Sequence, residues 1–289
     1  MKIKVWYVFL AIVLCLTVAG SGYAADCNAI KKALKQEHDV KKKRKILGDA
    51  IVQCPNDPDI NYKYALSLER FRKYEKALGY YQKAVLADPA MAKAYAGMGD
   101  VYIYLGLLDE AIDAYKNAVK YMPQNDRFEG RYSRLSIKRK ALRGEVLSVG
   151  EFIKVMDHRG KISSNMPLLL TGPALQYRVA FVEGSGTLQP TGIRQLGAVG
   201  QAMQNDAIQH VRFEISVHVD QGFSSSEEAF ERSKARALMI KDQLVTNFLI
   251  DPKRLEIAWY GDAQPLETGA PQAGGIIANE RVEFKRIVE

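Results

Sequence analysis

The chain has 289 residues, 47% of them hydrophobic, with 41 Lys and Arg against 33 Asp and Glu for a formal charge of +8. The charge is uneven: residues 25–145 hold 24 basic against 16 acidic residues, and residues 146–289 hold 15 against 17. The basic runs, Lys41 to Lys45 and Arg127 to Arg143, read as solvated helix faces, and without a base-stacking motif nucleic acid is excluded as an expected partner.

Lys2 and Lys4, the apolar run Val5 to Ala19 and the small-residue site Gly22-Tyr23-Ala24 predict an export signal cleaved after Ala24. The apolar run is short for a membrane span, and no second one follows. Leu14 before Cys15 and Asp26 before Cys27 do not fit a lipoprotein site. Export places Cys27 and Cys54 in an oxidising compartment. A helix over about 27–37, a turn at His38-Asp39 and a helix over about 40–53 return the chain antiparallel, so a Cys27–Cys54 disulfide is expected. Closing that loop is worth about 3.5 kcal/mol on chain-entropy grounds.

Pro55, Pro89 and Pro123 recur every 34 residues, as do Ala77 and Ala111, Tyr81 and Tyr115, and Ala84 and Ala118. Small residues at fixed positions allow two helices to approach closely, aromatics fill the gap to the next pair, and the proline ends the second helix. The segment resembles tetratricopeptide repeats, one from Asn61, Tyr64, Ala65, Leu68, Ala77, Tyr81, Ala84 and Pro89. A second comprises Tyr95, Met98, Gly99, Tyr102, Ala111, Tyr115, Ala118 and Pro123. The resemblance implies a curved stack with a protein partner on its hollow side, contacted by Tyr62, Glu69, Arg70, Lys93, Asp100 and Tyr104. Residues 27–53 read as a degenerate capping hairpin, and Asp126 to Leu142 as a closing helix with Phe128, Tyr132, Leu135 and Leu142 on one side.

Ser148 and Glu151 form a capping-box pattern that opens a helix through about Met156, and His158 to Pro173 reads as a linker. From Gln176 the pattern changes. Strands are expected at Tyr177 to Phe181, Val211 to Val219, Leu255 to Trp259 and Arg281 to Phe284, with helices at Gly192 to Gln204 and Glu227 to Phe248. That order implies an α/β sandwich of one mixed sheet under two or more helices. The fold class is therefore multidomain: an all-α helical-hairpin repeat stack followed by an α/β sandwich. The divisions are 1–24 signal, 25–145 repeats, 146–175 short helix and linker, and 176–289 α/β domain.

Phe181 with Gly184-Ser185-Gly186-Thr187-Leu188, Val217-His218-Val219-Asp220, Ser233-Lys234-Ala235-Arg236-Ala237 and Tyr260-Gly261-Asp262-Ala263-Gln264-Pro265 together resemble the OmpA-like C-terminal domain. The resemblance implies noncovalent binding of peptidoglycan. Asp220 would pair with the ammonium of the diaminopimelate stem residue and Arg236 with its carboxylate, matching an acceptor-only group and a planar five-donor group to the two ends of a zwitterion. Arg281 either supports the carboxylate side or pairs with a neighbour. The chain departs from the family at Val217, Val219, Ala229, Arg232 and Glu280, the last adding a negative charge near the carboxylate pocket.

No cofactor, metal site, phosphate loop or catalytic constellation is read, and His218 is expected as a hydrogen-bonded residue beside the loop rather than a base. The expectation is a non-enzymatic periplasmic adaptor that holds peptidoglycan through one domain and an envelope protein through the other. Peripheral association with the outer membrane stays open. The alternative is an assembly scaffold whose OmpA-like domain has lost the glycan.

Overall fold

The computed structural model describes residues 26–157, 168–219, 225–264 and 280–287. The expected export signal and Asp220 lie outside the described residues.

Helices α1 (Cys27–Gln36) and α2 (Val40–Gln53) form the first hairpin. Each starts at an aspartate cap: Asp26 accepts from the Asn28 and Ala29 amides, and Asp39 accepts from the Lys42 amide. The hairpin is closed by a Cys27–Cys54 disulfide with Cα atoms 6.0 Å apart. Two further hairpins follow, α3 (Pro58–Arg70) with α4 (Tyr74–Ala87) and α5 (Ala92–Tyr104) with α6 (Leu108–Tyr121). Helix α7 (Asp126–Leu142) closes the series.

The 34-residue period is physical. Ala65, Ala77, Ala84, Ala111 and Ala118 are all fully buried. A Cβ placed on Gly97 would stand 2.4 Å from Tyr81 Cζ, and one on Gly99 would stand 2.6 Å from Tyr115 Cδ2. These glycines cost helix propensity, about 1 kcal/mol each, and in return let a helix lie on a tyrosine ring of a neighbouring helix. The period reaches the backbone as well: Arg72 and Gly106, one repeat apart, both turn the chain with positive φ, 56° and 75°. Glycine suits that conformation and arginine does not.

The second part comprises α8 (Val149–Met156), the short α9 (Leu168–Thr171), β1 (Ala174–Tyr177), α10 (Pro190–Gln204) and β2 (Arg212–His218). It continues with α11 (Ser226–Phe248), a 3-10 turn (Pro252–Arg254), β3 (Leu255–Gly261) and β4 (Arg281–Ile287). The sheet order is β1-β4-β2-β3, with β2 and β3 parallel and the other neighbours antiparallel. One face of the sheet is apolar: Leu175, Tyr177, Phe213, Ile215, Val217, Val282 and Phe284 share a core with α8, α10 and α11.

Two expectations are corrected. The first strand lies at 174–177 rather than 177–181, because beyond Tyr177 the backbone finds other partners: the Arg178 amide donates to the Ala141 carbonyl and the Ala180 amide to Gln195 Oε1. Phe181 keeps one isolated bridge, to Leu188. The last strand runs to Ile287, three residues past the expected end.

The capping box opening α8 is formed, with both Ser148–Glu151 hydrogen bonds present. The helix is packed rather than free: Phe152 lies 6.3 Å from Phe213 and 5.7 Å from Phe284, centroid to centroid. Ile137 and Ala141 of α7 belong to the same core. Tyr177 Oη donates to the Glu145 carbonyl and accepts from the Leu147 amide, and Gln195 Nε2 donates to the Gly144 carbonyl. The repeat stack thus ends inside the core of the α/β part.

Candidate functional site

Arg236 projects from the middle of α11 and is 3% exposed. Three elements hold it. The loop between Phe181 and Leu188, tightened by Gly184 at φ +69° and by the Val182 amide donating to the Thr187 carbonyl, presents the Ser185 carbonyl, which accepts from Arg236 Nε at 3.2 Å. The Phe181 ring lies under the guanidinium, 4.3 Å from Cζ, a cation–π placement. At the entry to β4, Glu280 Oε1 accepts from Arg236 Nη1 at 2.6 Å. The Glu280 side chain is 31% exposed, so the pair meets solvent on the Glu280 side.

Arg236 therefore faces a carboxylate, the chemistry the sequence assigned to it, but that carboxylate belongs to the chain. A carboxylate near this arginine was foreseen from Glu280. The direct ion pair was not, since it joins residues 44 apart.

Arg281 is buried and engaged with neighbours: its Nε donates to Glu283 Oε1 at 2.8 Å and Nη2 to the Gln264 carbonyl at 3.2 Å. Glu283 is the hub of this face. It also accepts from Gln176 Nε2 at 3.1 Å and pairs with Lys285 Nζ at 2.9 Å. Burial works against its charge, but the hydrogen bonds from Lys285 and Gln176 and the Arg281 charge outweigh burial and hold its carboxyl at about 2.

His218, opposite Arg281 across the β2–β4 ladder, stacks on Tyr260 at 5.1 Å. The expected hydrogen bond is not formed: among the described residues neither ring nitrogen has a partner, and Glu283 Oε1 is 3.7 Å away. Burial, reinforced by the Arg281 charge, lowers its pKa to about 4, so the imidazole is neutral at ordinary pH. Sequence reasoning missed Glu283. Its only signal was the alternation Arg281, Glu283, Lys285, which places three charges on one strand face.

Ser233, in the motif with Arg236, ties helix to sheet by accepting from the Gly261 amide at 2.9 Å and donating to the Phe230 carbonyl at 2.8 Å. Gly261 has φ +55°, and a Cβ there would press on the Phe230 amide at 3.1 Å. Asp220, on the loop that follows β2, lies outside the described residues.

In the repeats, the six residues expected to face a partner divide. Arg70 and Lys93 are exposed. Glu69 and Asp100 serve the interior: Tyr81 Oη donates to Glu69 at 2.6 Å, and Tyr115 Oη donates to Asp100 at 2.5 Å. Arg127 Nη2 donates to the second Asp100 oxygen at 3.2 Å. Burial raises the Glu69 pKa, against the Tyr81 hydrogen bond. Tyr62 tilts against Tyr81 at 5.9 Å, and Tyr104 stacks on Tyr74 at 4.5 Å. Glu69 is thus half-buried and Asp100 buried, each against a tyrosine, and Arg127 is a partner of Asp100 unforeseen from the sequence.

Among the described residues no group of three His, Cys, Asp or Glu side chains could hold a metal ion, and no helix is long and apolar enough to cross a membrane.

The fold is that of a helical-repeat stack joined to a small mixed α/β domain. Residues 180–275 match the OmpA family and residues 92–125 the tetratricopeptide repeat. Both are binding and scaffolding families, and together they suggest a protein-interaction adaptor associated with the cell envelope. No curated protein matches the chain.

Similar solved structures include the cell wall anchor of the T6SS from Pseudomonas aeruginosa, at 22% identity over 40% of this chain and 81% of that one, TM-score 0.32. A putative MotB-like protein from Desulfovibrio vulgaris is 17% identical over 55% of this chain and 97% of its own, TM-score 0.35. A MamA double mutant is 22% identical over 46% of this chain and 74% of its own, TM-score 0.37.

Proposed function

We propose that the α/β domain, residues 176–289, tethers the chain to peptidoglycan by holding the zwitterionic end of a diaminopimelate stem residue, while the repeats, residues 25–145, recruit an envelope protein in the periplasm. The observation that carries the reading is the pairing of Arg236 with Glu280. A guanidinium buried in helix, loop and aromatic ring is shaped as a receptor for a carboxylate, and its present occupant comes from a residue open to solvent on one side. A ligand carboxylate can take that place, with Asp220 at the ammonium end. No bond is made or broken, so the site needs no nucleophile, base or metal.

Co-sedimentation with insoluble peptidoglycan tests this. Wild type is expected in the pellet, and Arg236→Ala and Asp220→Ala are each expected to lose about 2–3 kcal/mol of affinity, leaving the protein in the supernatant. The same ion pair favours a second reading, an assembly scaffold in which Glu280 has replaced the ligand for good. Wild type that stays in the supernatant, together with Glu280→Gln that also stays there, would establish it.

A further inference from the structure

The first hairpin and α3 share a core at the disulfide end, through Ala50, Cys54 and Ile60, and leave an opening toward the other end. Between α1, α2 and α3 lies a cleft of about 410 Å³. Its floor is apolar, made by Leu34, Leu47, Leu66 and Phe71, with Phe71 42% exposed and the Arg44 guanidinium over its ring at 4.5 Å. Its rim is cationic: Lys35, Lys43, Lys63 and Arg70 line it, and none of the four is in an ion pair among the described residues. Among the described residues no acidic side chain lines the cleft. Of the six residues expected on the hollow side of the stack, Arg70 alone belongs to this lining.

Four unpaired cations crowded around exposed apolar surface repel one another, and burying that surface without neutralising them gains little. The complementary occupant has carboxylates for the rim and one bulky apolar group for the floor. A planar lipid surface does not enter a recess between a helix pair and the next helix, and an anionic polysaccharide brings no bulky apolar group to fill a recess floored by leucines. We infer that this cleft is a docking site for an acidic peptide segment that seats one large apolar side chain between Leu47, Leu66 and Phe71 and places its flanking carboxylates against the lysines and Arg70. Arg44, already spread over Phe71, extends the aromatic floor with charge toward the same carboxylates.

Fluorescence anisotropy on the full chain tests this, with a labelled pentapeptide of one tryptophan flanked by two glutamates on each side. Binding is expected to weaken about tenfold when serine replaces the tryptophan, and about tenfold when Lys35→Glu and Lys43→Glu are combined. Both substituted lysines are on the rim, so the melting temperature should hold and separates lost binding from lost fold. The inference is overturned by equal binding of the serine peptide, by equal binding to the double variant, or by no binding up to about 1 mM peptide. Binding to phosphatidylglycerol vesicles without peptide binding overturns it too, in favour of a lipid surface.

Discussion

The repeat stack and the α/β domain bury carboxylates by different means. In the stack, Glu69 and Asp100 accept from the neutral hydroxyls of Tyr81 and Tyr115, residues 12 and 15 positions away, and Asp100 also takes Arg127 from 27 positions away. In the sheet, Glu283 is held by Arg281, by Lys285 and by Gln176 from a strand 107 positions distant, and Arg236 is held by Glu280 from 44 positions away. A neutral donor leaves a buried carboxylate high in pKa, as at Glu69, whereas cations drive it down, as at Glu283. The stack tolerates sequence repetition because each of its polar pairs is made within one hairpin and the next. The sheet depends on charges brought from far apart, and one change there leaves a partner buried and uncompensated.

The largest expected effect sharpens the comparison at the capping end. Cys27→Ser removes a bridge spanning 27 positions and should cost about 3.5 kcal/mol, confined to the first hairpin. Hydrogen exchange should show α1 and α2 opening while α10 and α11 keep their protection. Uniform loss of protection along the chain would mean the first hairpin is coupled to the sheet.

Acid should separate the two regions next. His218 has a folded pKa of about 4 against 6.5, so the unfolded chain takes up its proton first and stability falls as pH drops from 6.5 to 4. Glu283, at about 2 against 4.5, adds a second loss as pH drops from 4.5 to 2. Each is worth about 3 kcal/mol at most. Glu69 works the other way: its folded pKa is raised, so the folded state protonates first and gains as pH falls. Trp259 lies on β3, and in the chain without residues 1–24 it is the sole tryptophan. Its emission should report earlier acid unfolding than amide exchange in α3 to α6. Simultaneous loss of both signals would count against separate acid responses.

How much of this was legible follows from the same distances. Helix ends, the tyrosine and alanine register and the disulfide hairpin came from spacings within 34 residues, and the structure places them within a residue or so. The bonds from Tyr81 to Glu69 and from Tyr115 to Asp100 were not legible, because the period shows that a position recurs but not which way its side chain hydrogen-bonds. In the α/β domain the elements were legible from alternation. The first strand was displaced because its partners, Ala141 and Gln195, lie on elements that strand periodicity does not report.

Gly97 gives a smaller test inside the stack. Gly97→Ala gains helix propensity but drives a methyl into Tyr81, whose hydroxyl is tied to Glu69. The ring cannot withdraw without breaking that bond, so a net loss of about 2 kcal/mol is expected in urea unfolding. Gly97→Ala combined with Tyr81→Phe should recover part of it, because the freed ring can shift.

The smallest effect bears on the α/β domain's long-range pair. If Glu280 competes with a ligand carboxylate for Arg236, then Glu280→Gln keeps the shape of the side chain and removes its charge. The variant should bind peptidoglycan about tenfold more tightly, roughly 1.4 kcal/mol, and lose a comparable amount of folding stability because Arg236 is left with weaker acceptors. Opposite signs in two assays on one variant distinguish competition from simple structural support. A structural ion pair would lower both stability and binding together. Measuring the variant at two salt concentrations adds a control: a pair that is nearly dry on the arginine side, at 3% exposure, should respond to salt far less than the rim charges of the repeats.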